Sequence, residues 1–157
     1  LQLNNKSNGE KNMNTTKHTE HDIDILARTI YGEARGEYFR NDGGIASLIC
    51  VANVIVNRAK QPKRYGETLA KVCKRPYQFS CWNRNDPNCV IISRVQQGDD
   101  KIFDLCLNVA ENVLKEQWPD LTEGSNHYHA SWMKVYPAWS IDRVPTKRIG
   151  QHLFYTL

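Results

Sequence analysis

The segment from Ile45 to Ala59, IASLICVANVIVNRA, is apolar on nearly every side, and this narrows the possible folds more than any other stretch of the chain. A surface helix would leave a polar face. This one hardly has a polar face, which predicts a central helix with other elements packed around it. Its β-branched residues would also suit a strand, but the segment is far longer than the usual strand of about five or six residues. Asn53 and Asn57, four positions apart, need partners if buried. Either they face a groove or they cap a chain that crosses the helix.

The preceding stretch, ARTIYGEARGE from Ala27 to Glu37, carries the chemistry. Thr19 followed by Asp22 has the form of a capping box and predicts a helix start, with the helix running to about Arg35. Leu26, Ile30 and Glu33 share one face at helical spacing, so Glu33 falls where the next core residue belongs. A carboxyl there is desolvated, which raises its pKa and suits it to donate a proton. Gly32 lets a neighbour approach closely, and Gly36 is placed to end the helix, leaving Glu37 outside the last turn. The competing reading makes Glu33 a structural ion pair with Arg35 or Arg58.

The chain has 157 residues, 40% of them hydrophobic, as expected for one domain with a sizeable core. Residues 1–19 are polar and predict a flexible tail, leaving 20–157 as a single catalytic domain. The net charge of +4 falls short of a dedicated nucleic-acid binder. Lys60, Lys63, Arg64, Lys71, Lys74 and Arg75 nevertheless make the middle of the chain basic, which suits either a solvated face or attraction of an anionic polymer. No apolar run reaches membrane-spanning length, so stable membrane insertion is not expected. No secretory signal is present, which predicts a removed leader or another export route.

Five cysteines are present. Cys50 and Cys106 read as buried apolar residues, while Cys73, Cys81 and Cys89 allow one disulfide, Cys73 with Cys89 being the pairing that would clamp a loop. Their spacing lacks the paired form of a zinc ribbon. No cofactor or metal is expected.

Further along, Asp42 is a candidate cap for the central helix, and Pro62 to Gly66 reads as a loop followed by a short helix from Thr68 to Cys73. Between Arg75 and Asn88, Tyr77, Phe79 and Trp82 alternate with Gln78, Ser80, Asn83 and Asn85. Flat rings interleaved with amides suit a sugar-binding surface, or a loop pinned to the core. Helices are expected near Val90 to Val95 and from Lys101 to Trp118, the second ended by Pro119. Asn126 to Trp132 and Ile149 to Tyr155 read as two short strands that pair. The expected class is α+β, mainly α, with a small C-terminal antiparallel sheet.

Three chemistries fit these residues. Glu33 could act alone as a proton donor on a glycan. His127, His129 and His152 could hold zinc if a strand pairing brought them together. The aromatics could serve a wall-binding module without catalysis.

Taken together, ARTIYGEARGE, VIVNRAK (54–60), PYQFSCWN (76–83), GSNHYHA (124–130) and IGQHLFY (149–155) resemble the SleB-like cell-wall hydrolases, the spore-cortex-lytic type. The resemblance implies a lysozyme-like fold and cleavage of peptidoglycan between N-acetylmuramic acid and N-acetylglucosamine. It implies lytic transglycosylation with Glu33 as the acid, hydrolysis by water being the alternative. Gln78, Phe79 and Ser80 would line the glycan groove and Tyr128 would face the glycan. Asn57 and His129 complete the expected substrate contacts. A monomer acting in the cell envelope, or a phage lysin released to the wall, is the expected setting. No separate peptidoglycan-binding domain is expected within this chain.

Overall fold

The computed structural model describes residues 18–157. Residues 1–17, most of the expected tail, lie outside the described residues. The chain folds as α1 (Glu20–Tyr38), α2 (Ile45–Ala59), α3 (Pro62–Tyr65), α4 (Leu69–Lys74), α5 (Pro87–Arg94), α6 (Lys101–Leu114), β1 (His127–Ala130), β2 (Lys147–Ile149) and β3 (His152–Tyr155). It is mainly helical with one small antiparallel sheet, as expected. Strand order is β1-β3-β2.

The apolar segment at 45–59 is the helix α2 with the bounds its length suggests. Leu48, Val51, Ala52, Val54 and Ile55 are all fully buried, because α1 and α6 cover one side and Phe154 of β3 meets Cys50 and Val54 on another. Helix α1 begins as predicted. Thr19 Oγ1 accepts from Asp22 N while Asp22 Oδ2 accepts from Thr19 N, each partner satisfying a donor the first turn would leave free. Its Ile25, Leu26 and Ile30 face α2 and α6 in the core.

Several boundaries differ from expectation for identifiable reasons. Helix α1 does not stop at Gly36; it continues to Tyr38, and Glu37 lies in its last turn, buried. Glu37 Oε2 accepts from Gln151 N at 2.9 Å, in the turn between β2 and β3, so a tertiary bond holds the helix past the glycine. Asp42 does not cap α2, whose N-cap is Gly44; its carboxylate pairs with Arg40 instead. Pro62–Tyr65 forms one helical turn rather than a loop, ended by Gly66 at φ +137°. Helix α6 stops at Leu114, four residues before the expected end. The Lys115 N–H turns back to Glu111 O and Val113 O, and Glu116 takes φ +54°. No pairing of Cys73, Cys81 or Cys89 forms; all five cysteines are free thiols. Strand β2 is an addition to the two expected strands.

The clasp at Glu37 demands a glycine opposite it. Gly150 has φ +56°, and a Cβ there would lie 2.3 Å from Glu37 Oε2. Gly150→Ala is expected to cost about 2–4 kcal/mol of stability, from left-handed backbone plus overpacking. Chemical denaturation measures it, and an unchanged midpoint would show the clasp to be dispensable.

Candidate active site

Residue by residue, the site is set by where α1 passes the 76–82 loop and strand β1. Gly32 makes the close passage possible, since a Cβ at that position would sit 2.6 Å from Cys81 Cβ and 2.8 Å from Cys81 Sγ. With the loop pressed against α1, Glu33 on the next position stands half-buried at one wall of a groove of about 470 Å³. Gln78 and Ser80 come from the loop, and Tyr128 and His127 from β1. Met133, Pro137 and Trp139 complete the lining.

Glu33 is accessible from this groove, yet its Oε1 is shut off from solvent and has no hydrogen-bond partner. Burial is the largest influence on its pKa and raises it above the ordinary carboxylate value. The Cys81 thiol, the Cys81 backbone and the Tyr128 hydroxyl favour the anion and offset part of that rise, while the nearby negative charge of Asp86 adds to it. Burial also pushes the Tyr128 hydroxyl and the Cys81 thiol well up, so both remain neutral beside the carboxyl. Among the described residues Glu33 forms no ion pair, so the structural ion-pair reading does not hold. Its two candidate partners are used elsewhere. Arg35 donates to Tyr31 O and Asn88 Oδ1, and Arg58 donates to Asn126 O at 2.7 Å and to Gln78 Oε1 at 3.0 Å.

Arg58 ties the groove together. Its guanidinium is buried, lies 5.0 Å from the Phe79 ring centroid and 5.3 Å from that of Tyr65, and links α2 to both the 76–82 loop and the residue just before β1. Of the residues expected to contact substrate, Gln78, Ser80 and Tyr128 all line the groove.

The other expected contacts need correction. Phe79 is 2% exposed and packs into the core beneath Arg58, so it supports the loop instead of lining the groove. The outward ring is that of Tyr77, 89% exposed and held at φ +64° on the groove rim. Asn57 lies away from the groove. Its amide donates to Asp120 Oδ2 at 2.8 Å and Ser125 O at 2.9 Å, tying down the 120–125 turn, and Asn53 Oδ1 accepts from Leu121 N in the same turn. Both amides therefore cap a crossing chain. His129 borders the groove, but its Nδ1 meets Ala130 O and its Nε2 meets the Tyr155 hydroxyl, so both ring nitrogens are already engaged.

The zinc arrangement fails on strand register. Ala130 is the Cα partner of His152, and Tyr128 that of Phe154, so His152 lies on the Tyr128 face while His127 and His129 point the other way. The His152 ring sits against Tyr128 with centroids 4.8 Å apart. Burial, reinforced by Arg58, Arg64 and Arg143, lowers the His127 pKa to about 4, so that imidazole is neutral across the ordinary pH range.

Sequence reasoning missed Trp139, Met133 and Pro137, which reach the groove from a long connection with no periodicity to read. The roles of the other acids near the motifs are equally specific. Asp86 caps α5 by accepting from Asn88 N at 2.8 Å, and Glu37 holds the clasp described above. Among the described residues lining the groove, Glu33 is the sole carboxyl.

The fold, a helical body carrying a small sheet, is shared with two solved catalytic domains. The structure resembles the catalytic domain of the Bacillus cereus SleB protein, with a TM-score of 0.66 at 22% identity over 94% of this chain and 98% of that one. It also resembles the catalytic domain of the germination-specific lytic transglycosylase SleB from Bacillus anthracis, with a TM-score of 0.61 at 23% identity over 88% of this chain and 97% of that one. A spore cortex-lytic enzyme of Halalkalibacterium halodurans is 26% identical over 137 residues, 87% of this chain but 35% of the relative. The chain thus spans about a third of the length of that curated relative. The chain belongs to the cell wall hydrolase family, whose model matches residues 44–155. That match begins after α1 and does not include Glu33.

Proposed function

We propose that residues 20–157 cleave peptidoglycan glycan strands between N-acetylmuramic acid and N-acetylglucosamine by lytic transglycosylation, with Glu33 as the catalytic acid. The observation that carries this reading is a single carboxyl, desolvated and unpaired, on a groove whose lining holds no second one. A hydrolytic glycosidase ordinarily needs two, one as acid and one as nucleophile or base.

In the proposed mechanism protonated Glu33 gives its proton to the glycosidic oxygen. The bond to C1 of the muramoyl residue breaks, the N-acetylglucosamine side leaves as an alcohol, and positive charge develops at C1 and the ring oxygen. The Glu33 carboxylate, now anionic, stabilises that charge and then accepts the proton of the muramoyl C6 hydroxyl as its oxygen bonds to C1. The product is a 1,6-anhydro end, and Glu33 regains its proton. Gln78 and Ser80 supply exposed polar groups to hold sugar hydroxyls, and Tyr77 and Trp139 supply rings in the groove lining. Tyr128, neutral and adjacent to Glu33, keeps the acid oriented. The setting we propose is the cell envelope.

Mass analysis of digested sacculi tests the reaction type. Anhydro-muramoyl ends are expected. Reducing ends would assign the water-dependent alternative, and intact glycan retained by the protein would assign a binding module.

A further inference from the structure

A second concavity adjoins the groove. It lies between α3 and α4, has a volume of about 630 Å³, and is lined by Lys63, Arg64, Lys71, Lys74 and Arg75. The Tyr65 ring in its lining meets His127 of the groove edge to face at 6.1 Å, and Pro76 on its rim precedes Tyr77 on the groove rim. Of the five cations only Lys71 has a side-chain carboxylate partner among the described residues, Glu67 at 3.1 Å. Arg64 donates to the terminal Leu157 O at 3.0 Å and Arg75 to the Arg64 carbonyl, and Lys74 sits over the Trp82 ring. Cations gathered at a concave surface raise the local concentration of anions.

The remaining lining is apolar. Pro62, Tyr65, Ala70 and Pro76 give the pocket small hydrophobic walls between the charges. A phosphodiester polymer would be served by the cations alone. A peptide that alternates carboxylates with methyl side chains would use both kinds of surface, and the stem peptide on the muramoyl lactyl group is such a ligand. We propose that the pocket between α3 and α4 binds the carboxylates of the stem peptide borne by a glycan strand seated in the adjoining groove. This assignment rests on the glycan reading of the groove.

Co-sedimentation with purified sacculi tests it by binding, in a Glu33→Gln background so that no glycan is cut. Sacculi freed of teichoic acid with hydrofluoric acid are compared with the same material further stripped of stems by an amidase. The protein is expected to prefer stem-bearing material. Lys63→Gln with Lys74→Gln, two side chains without hydrogen bonds to the fold among the described residues, should lower that preference roughly fivefold. Lys63→Arg with Lys74→Arg should restore it, and thermal melting confirms that each variant is folded. Equal preference in all three proteins would overturn the assignment. So would a defect seen only while teichoic acid is present, which would make the ligand a phosphate polymer. Because the readout is binding, failure of the cleavage reading appears separately, as intact glycan with the wild-type protein.

Discussion

Glu33→Gln is expected to reduce release of soluble glycan fragments by roughly 10²–10⁴-fold, the usual contribution of a positioned general acid. The amide keeps the shape of the side chain and removes the transferable proton. The same substitution should raise stability at neutral pH. Burial raises the folded pKa of Glu33 above its unfolded value, so the native state holds the proton more tightly. Wild-type stability from this group is therefore complete below the ordinary carboxylate range and declines as pH rises through the raised folded value. The variant has no such decline. Its melting temperature should exceed that of the wild type at pH 7, and the difference should close as pH falls to about 4. An inactive variant less stable than wild type at every pH would indicate a structural role for Glu33 and contradict the assignment.

Arg58→Ala is expected to have the second-largest effect, a stability loss of about 2–4 kcal/mol with most of the activity gone. The buried guanidinium bonds Asn126 O and Gln78 Oε1 and supports the Phe79 and Tyr65 rings. Truncation leaves the Asn126 carbonyl without that donor and opens a void under the 76–82 loop. Burial lowers its pKa, but an arginine remains charged. Lysine keeps the charge but cannot reproduce two directed bonds and ring stacking from one planar group. Arg58→Lys should thus recover less than half the lost stability in urea titration. Full recovery by lysine would show that charge alone matters at this position.

The parts of the fold written in local pattern were legible. The all-round apolar character of α2 gave both its type and its bounds, and the Thr19–Asp22 pairing gave the start of α1. The pairing of β1 with β3 followed from two short runs of aromatic and histidine residues. Features decided by distant partners were not legible. Gly36 reads as a helix stop, yet a Cβ there would meet nothing within 4 Å beyond its own helix, and Glu37 is fastened to Gln151, which lies 114 positions away. β2 has three residues, Lys147–Ile149, two of them charged and exposed, too short for an alternation to register.

The candidate site divides along the same line. The placement of Glu33 at the groove follows from a local fact, its position in an apolar stripe. Tyr77 and Phe79 alternate with polar residues, a pattern that cannot say which ring faces out; a positive φ at Tyr77 and the Arg58 guanidinium over Phe79 decide it. Asn57 has the composition of a ligand contact, but the 120–125 turn meets it first. Met133, Pro137 and Trp139 reach the lining from a connection whose course depends on the sheet it leaves.

Titration of the Glu33 carboxyl itself, by infrared difference between wild type and Glu33→Gln, reaches the central claim most directly. A protonated carboxyl band that persists above the range where the exposed acids ionise is the predicted result. Loss of that band together with the exposed carboxylates, near pH 4.5, would contradict the account of Glu33 as a proton donor held neutral by its surroundings.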